Sequence, residues 1–210
     1  FTHFEQKPLN LYEQKEAIVR TLAIYNKDYC YQMRGMLKGD EGLMDACAKW
    51  MRSNRAYEGQ INFLTNYDMF TLHDLVSYER KHNEANGEEN QDGADYNCSW
   101  NCGVEGPTKK KTVLALRKKQ MENAMCLLML SQGTPLIMMG DEFANSQEGN
   151  NNPYCQDNEI AWINWSNLEK NKDFYHFVKE LILVAQETTL YGKDIYGEKT
   201  DKSVDAKEVR

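Results

Sequence analysis

Gly133-Thr134-Pro135-Leu136-Ile137-Met138-Met139-Gly140-Asp141 sets an apolar run between two turns. The glycine-led start and the Gly-Asp exit punctuate it as a strand, predicted over Pro135 to Met139. Its apolar residues are continuous rather than alternating, the pattern of a strand covered on both faces in a parallel sheet. Two earlier runs read the same way. Leu22 to Ile24 stops at Tyr25-Asn26, and Ile61-Asn62-Phe63-Leu64 stops at Thr65-Asn66-Tyr67-Asp68.

Between these runs the apolar spacing changes to that of helices. Tyr29, Met33, Met36 and Leu37 share one side, followed by Leu43, Cys47 and Trp50. Leu114, Met121, Met125 and Leu128 lie on one face of a longer helix predicted over roughly Lys110 to Ser131. Phe174, Phe177, Val178, Leu181 and Val184 do the same near the end. Such Met and aromatic stripes read as core. The order strand, helices, strand, helix, strand, helix is the rhythm of βα units, so the predicted fold class is α/β with a parallel sheet.

Two polar segments interrupt that rhythm, Glu79 to Thr108 and Glu142 to Asn167, both rich in Asn, Asp, Glu, Gly and aromatics. Each follows a predicted strand. In a parallel α/β scaffold the loops that leave the C-terminal strand ends surround the ligand cleft. Their length is more than packing alone requires.

Asp68 sits just after a predicted strand, where such a scaffold places catalytic carboxylates, and Asp141 and Glu142 hold the equivalent place after the next strand. The plainer reading is that these acids cap the turn that follows. Trp100, Tyr154, Trp162 and Trp165 can stack on sugar rings or pack in the core. Asn101, Gln156, Asp157, Asn158 and Glu159 can pair with hydroxyls. Cleaving a glycosidic bond takes two carboxyl groups flanking it, and sequence spacing does not reveal such a pair.

Composition removes other classes. The chain has 210 residues, 41% of them hydrophobic and 27% charged, enough for one ordinary globular domain. A net charge of -7 argues against nucleic acid as a partner, because polyanion binding relies on clustered Lys and Arg. The run Lys109 to Lys111 with Arg117, Lys118 and Lys119 reads as a solvated helix face. No apolar stretch reaches the roughly 18 residues that cross a bilayer, so no membrane partner is expected. Six scattered cysteines fit reduced thiols in a cytoplasm. Cys98 and Cys102 lack a second ligand pair at zinc spacing, and no metal is expected.

Ordered blocks carry a resemblance. Asp74-Leu-Val-Ser-Tyr78 with Lys81-His-Asn-Glu-Ala-Asn-Gly-Glu88 comes first, then Ser99-Trp-Asn-Cys-Gly-Val-Glu-Gly106 and Leu130-Ser-Gln-Gly-Thr-Pro135. Gly140-Asp-Glu-Phe143 and Gly149-Asn-Asn-Asn-Pro-Tyr-Cys-Gln-Asp-Asn-Glu159 complete the set. Together they resemble the isoamylase and glycogen-debranching branch of the α-amylase superfamily, over roughly Tyr25 to Val184. The resemblance implies a partial TIM (β/α)8 barrel, roughly its last three βα units with long βα loops. It assigns 1–190 to the C-terminal part of a glycoside hydrolase catalytic domain and leaves the charged tail 191–210 unassigned.

The same resemblance implies a retaining hydrolase of α-1,6 branch points in glycogen or related α-glucans, with no cofactor. Asp68 matches the family's third acid, which stabilises the distorted sugar. The family pattern there resembles His-Asp-Gly-Phe-Thr-Leu, whereas this chain reads Tyr67-Asp68-Met69-Phe70-Thr71-Leu72. Tyr67, Trp100, Asn101, Asp141, Glu142, Tyr154, Gln156 and Asp157 are the expected substrate contacts. No segment resembles the family's nucleophile strand or its Ala-Glu-Pro-Trp acid motif, and the neighbours of Glu5, which lies at a suitable distance, do not match. A non-catalytic glucan-binding module is the alternative. Half a barrel leaves an open strand edge, so a homodimer or association with the missing barrel half is expected.

Overall fold

The computed structural model describes residues 23–52 and 59–187. Leu22, Glu5 and the tail 191–210 lie outside the described residues. Three strands form one parallel sheet in the order β1 (Ala23–Tyr25), β2 (Gly59–Phe63), β3 (Thr134–Leu136). Ala23 pairs with Gly59, and Ile61 with Thr134. The α/β class and the parallel pairing follow the sequence reading.

Helices α1 (Lys27–Lys38) and α2 (Met44–Met51) connect β1 to β2. Asn26 starts α1, its side-chain oxygen accepting from the Tyr29 amide at 3.1 Å. The short α3 (Leu72–Leu75) is capped by Thr71, whose hydroxyl accepts from the Asp74 amide at 3.2 Å. Helix α4 (Lys111–Met129) leads to β3, and α5 (Ser166–Lys170) and α6 (Lys172–Glu187) end the described chain. Helix α4 touches α1 and α6. Their shared core holds Tyr29, Met33, Met121, Met125, Phe174 and Val178, each worth roughly 1.5–3 kcal/mol on burial. The Tyr29 hydroxyl donates to the Leu127 carbonyl at 2.8 Å, tying α1 to α4.

Buried polar groups fix the strand register. Asn62 on β2 is 1% exposed; its oxygen accepts from Asn26 Nδ2 at 3.0 Å, and its own Nδ2 donates to the Gln132 carbonyl at 2.6 Å. Gly133 makes this approach fit, since at φ +112° a Cβ there would lie 2.8 Å from Asn62 Nδ2.

Three sequence expectations change. The third strand covers only Thr134–Leu136, because the chain turns at Met138, whose carbonyl accepts from the Asp141 amide at 3.0 Å. Met139 is 70% exposed. Leu114 and Val184, expected on packed faces, are 45% and 47% exposed: Leu114 lies in the first turn of α4, and Val184 sits beside the buried stripe of Phe174, Val178, Leu181 and Ala185 rather than on it. Among the described residues no helix is long and apolar enough to cross a membrane.

Candidate functional site

Beyond β2 the chain stays buried through Leu64, Thr65 and Asn66, then surfaces at Tyr67, which is 63% exposed. Asp68 beside it is half-buried. The Met69 amide donates to the Asn66 carbonyl at 3.1 Å, closing the turn. Arg34 on α1, 1% exposed, donates from Nε to the Leu64 carbonyl and from Nη1 to the Asn97 carbonyl, each at 2.7 Å. Its Nη2 lies 3.4 Å from the Met69 sulfur. A buried guanidinium thus joins the Asp68 turn to the loop that follows α3, with its charge spread over carbonyl dipoles.

Asp141, expected to face substrate, is instead 1% exposed. Its Oδ1 accepts from the Leu72 amide at 2.8 Å, and its Oδ2 accepts from the Thr65 hydroxyl. Burial pushes its carboxyl up to about 7, and these two hydrogen bonds pull the other way. Both its oxygens are engaged within the protein, and by the turn that follows β2, so it neither faces substrate nor caps its own following turn as the sequence reading allowed. Glu142 folds back on its own turn, where Oε2 accepts from the Gly140 amide at 2.9 Å. It lines a depression of about 450 Å³ with Ile137, Met138 and Met139 and with Tyr175 and Ile182 of α6.

The two long loops interlock. Asp74, fully buried, accepts from the Ser146 hydroxyl at 2.5 Å, the Gln147 amide at 2.8 Å and the Gly149 amide at 3.3 Å. Asn83 and Asn151 bond each other, Asn150 Nδ2 donates to Asn86 Oδ1 at 2.8 Å, and Asn152 Nδ2 donates to Asp92 Oδ2 at 2.9 Å. Asn151 Nδ2 also donates to Asn97 Oδ1 at 2.8 Å. Asn97 is the residue whose carbonyl Arg34 holds, so the ladder connects back to the Asp68 turn.

Other expected contacts occupy graded positions. Tyr154 is 67% exposed, and Asp157 is exposed with its Oδ1 accepting from Trp162 Nε1 at 3.0 Å. Gln156 Nε2 donates to the Ala85 carbonyl and to Asn86 Oδ1. Trp100 is half-buried and packs against the core. Asn101 Nδ2 donates to Glu105 Oε2 at 3.0 Å, and its oxygen accepts from the Gly103 amide at 2.8 Å. Trp165 is 67% exposed while stacked on Phe143 at 5.7 Å.

A larger groove of about 1240 Å³, of mixed polar and apolar lining, is bounded by His73, His82, Glu105, Ser146, Glu159 and Asn164 among others, and by neither Tyr67 nor Asp68. Sequence reasoning passed over His73, His82, Arg34 and the asparagine ladder. The paired Asn-rich stretches 83–90 and 150–152 were the visible signal for the last of these. Among the described residues all six cysteines are free, and no three His, Cys, Asp or Glu side chains gather as a metal site.

No family model matches the chain. A stretch of 128 residues is 56% identical to the "Glycogen operon protein GlgX homolog" of Mycobacterium tuberculosis, covering 61% of this chain and 18% of that protein. "Isoamylase 3, chloroplastic" of Oryza sativa subsp. japonica is 40% identical over 189 residues, 85% of this chain and 24% of that one. The "Glycogen debranching enzyme" of Serratia proteamaculans is 40% identical over 190 residues, 87% of this chain and 28% of that one. The chain thus spans less than a third of the length of each of these relatives. In fold it is similar to the pullulanase from Bacillus acidopullulyticus, with a TM-score of 0.57 and 19% identity over 80% of this chain and 19% of that chain.

Proposed function

We propose, from the chain's kinship with the isoamylase and glycogen-debranching proteins, that it forms one rim of an α-glucan cleft in a debranching glycoside hydrolase. The observation that carries this reading is the convergence of two loops from neighbouring strand ends onto the turn that bears Asp68. In this reading residues 1–190 are the C-terminal part of a (β/α)8 catalytic domain and contribute roughly its last three βα units. The tail 191–210 has no assigned role.

Asp68 supplies the third acid of a retaining cleavage of α-1,6 linkages. It hydrogen-bonds the sugar at the scissile bond and stabilises positive charge as the ring flattens toward an oxocarbenium-like state. Nucleophile and general acid come from other strands of the same barrel. Tyr67 donates a hydrogen bond where the family's His does, from a longer side chain. The exposed Tyr154 ring stacks on a glucose face, and Asp157, Gln156, Trp100 and Asn101 complete the hydroxyl and ring contacts. Asp141 leaves this set, because it is 1% exposed and both its oxygens are engaged inside the protein.

Association with the remaining barrel, or with a second copy of the chain, covers the outer edges of β1 and β3. Six free thiols fit a reducing, cytoplasmic setting. A second reading, a glucan-binding module without turnover, is favoured by Tyr67 standing where the family has His. Reducing-sugar release from pullulan and glycogen separates the two. The full-length polypeptide is expected to release linear chains, and the 210-residue chain alone to release none. Binding without turnover by the full-length polypeptide selects the second reading.

A further inference from the structure

Asp141 follows β3, yet the hydrogen bonds its carboxylate accepts come from the turn that follows β2. The Leu72 amide and the Thr65 hydroxyl bracket Tyr67 and Asp68, so one side chain spans the foot of the turn. The other anchor, Arg34, reaches the same turn from α1 through Leu64 and Met69. Helix α3 is already capped by Thr71, so the bond to Leu72 is not needed to start it.

Burying a carboxyl is costly unless its hydrogen bonds repay it. Desolvation, the two hydrogen bonds, and the negative neighbours Glu142 on its own turn and Asp74 on α3 together set the balance at this site. An apolar side chain would fill the space more cheaply, but it would leave the Leu72 amide and Thr65 hydroxyl without an acceptor. The two ends of the turn would then be free to separate, and the half-buried Asp68 with them.

We infer that Asp141 is a positioning residue for Asp68, pinning both ends of its turn from the neighbouring loop so that the Asp68 carboxylate keeps its place against a bound glucose unit. This rests on the hydrolase reading above. Asp141 touches no substrate; it acts through Thr65 and Leu72. Since misplacing a catalytic group by about 1 Å costs up to ~100-fold in rate, the effect appears in turnover rather than in substrate binding.

The test is kcat and KM for a branched maltooligosaccharide, measured on the full-length polypeptide with melting temperature followed in parallel. Asp141→Ala is expected to lower kcat by ~10- to 100-fold with KM changed less than about threefold. Asp141→Asn still accepts from Leu72 and can donate to Thr65, so its kcat is expected within about threefold of wild type. Thr65→Val is expected to fall between. A folded Asp141→Ala with wild-type kcat overturns the inference, as does Asp141→Asn falling as far as Asp141→Ala. Should Asp141→Ala not fold, Thr65→Val at wild-type kcat overturns it. Asp68→Asn separates the two claims: if it keeps full turnover the hydrolase reading fails, and if it is inactive while Asp141→Ala is fully active only the positioning role fails.

Discussion

Asn83 and Asn151 exchange two hydrogen bonds: Asn83 Nδ2 donates to Asn151 Oδ1 at 2.9 Å, and the Asn151 amide donates to Asn83 Oδ1 at 3.0 Å. Both residues are fully buried. The pair mimics a rung of sheet between two loops that have no strand of their own. It makes one rigid rim from segments far apart in sequence. Long polar loops ordinarily lose conformational entropy that their few apolar contacts cannot offset. Here a row of buried and half-buried amides does the ordering, because each buried amide left unpaired would be expensive.

Asn151→Ala therefore removes more than one contact. It takes the donor from the Asn97 oxygen and the Ala94 carbonyl and one acceptor from Asn83 Nδ2, which keeps its bonds to Asp92, and is expected to destabilise by ~2–4 kcal/mol in urea unfolding. Proteolysis within the loop 79–108 is expected to accelerate in the same variant. An Asn151→Ala protein with wild-type unfolding midpoint and cleavage rate contradicts the ladder's role.

Gly133→Ala meets both a left-handed backbone and a crowded site, with φ +112° and Asn62 Nδ2 2.8 Å from the added Cβ. A loss of roughly 1–3 kcal/mol is expected, from strain and from the displaced Asn62 to Gln132 bond. Differential scanning calorimetry reads it as a lower melting temperature. An unchanged melting temperature shows that β2 and β3 do not approach through this glycine.

The carboxyl of Asp141 predicts a pH dependence of stability. Burial raises it from 3.8 unfolded to about 7 folded. The folded chain therefore binds more protons than the unfolded chain between those values, and the contribution present below pH 4 is lost as pH rises through about 7. Asp92 and Glu105 act in the opposite direction. Burial raises both, but hydrogen bonds from Asn86 and Asn152 to one, and from Asn101 and the Glu79 and Arg80 amides to the other, leave them lowered. Their contribution is lost only below about pH 4. Unfolding midpoints between about pH 5 and 8 are expected to fall with pH in the wild type and to flatten in Asp141→Asn. A wild-type midpoint that rises across that window contradicts the assignment.

Tyr154→Ala separates binding from folding, since the ring is 67% exposed. Its unfolding midpoint is expected to stay within about 0.5 kcal/mol of wild type. Affinity for maltohexaose, read by calorimetry, is expected to drop by about 1 kcal/mol, or roughly fivefold. Trp100→Ala is expected to lower both quantities, because the indole packs against the core. Unchanged affinity in both variants removes these aromatics from the glucan rim.

The residues that announce themselves in the sequence are those whose neighbours in the chain decide their state. The run after Gly133 reads as a strand because turns bracket it, and Tyr29, Met33, Met121 and Met125 read as core because helical spacing repeats. Asp141 was legible as a strand-end acid but not as a buried one, since its burial depends on Thr65 and Leu72 arriving from another turn. The same holds for Arg34, whose stripe of apolar neighbours hides a cation bonded to Leu64 and Asn97. The loops were visible as polar and long; which asparagine meets which is a property of the folded pair.

Amide chemical shifts of the chain titrated with a branched maltooligosaccharide test the central claim most directly, that the two loops and the Asp68 turn form one glucan rim. The account predicts saturable shifts concentrated at Tyr67, Asp68, Trp100, Tyr154 and Asp157. Shifts confined to the groove lined by His73, Glu105 and Glu159, or none at millimolar sugar, would contradict it.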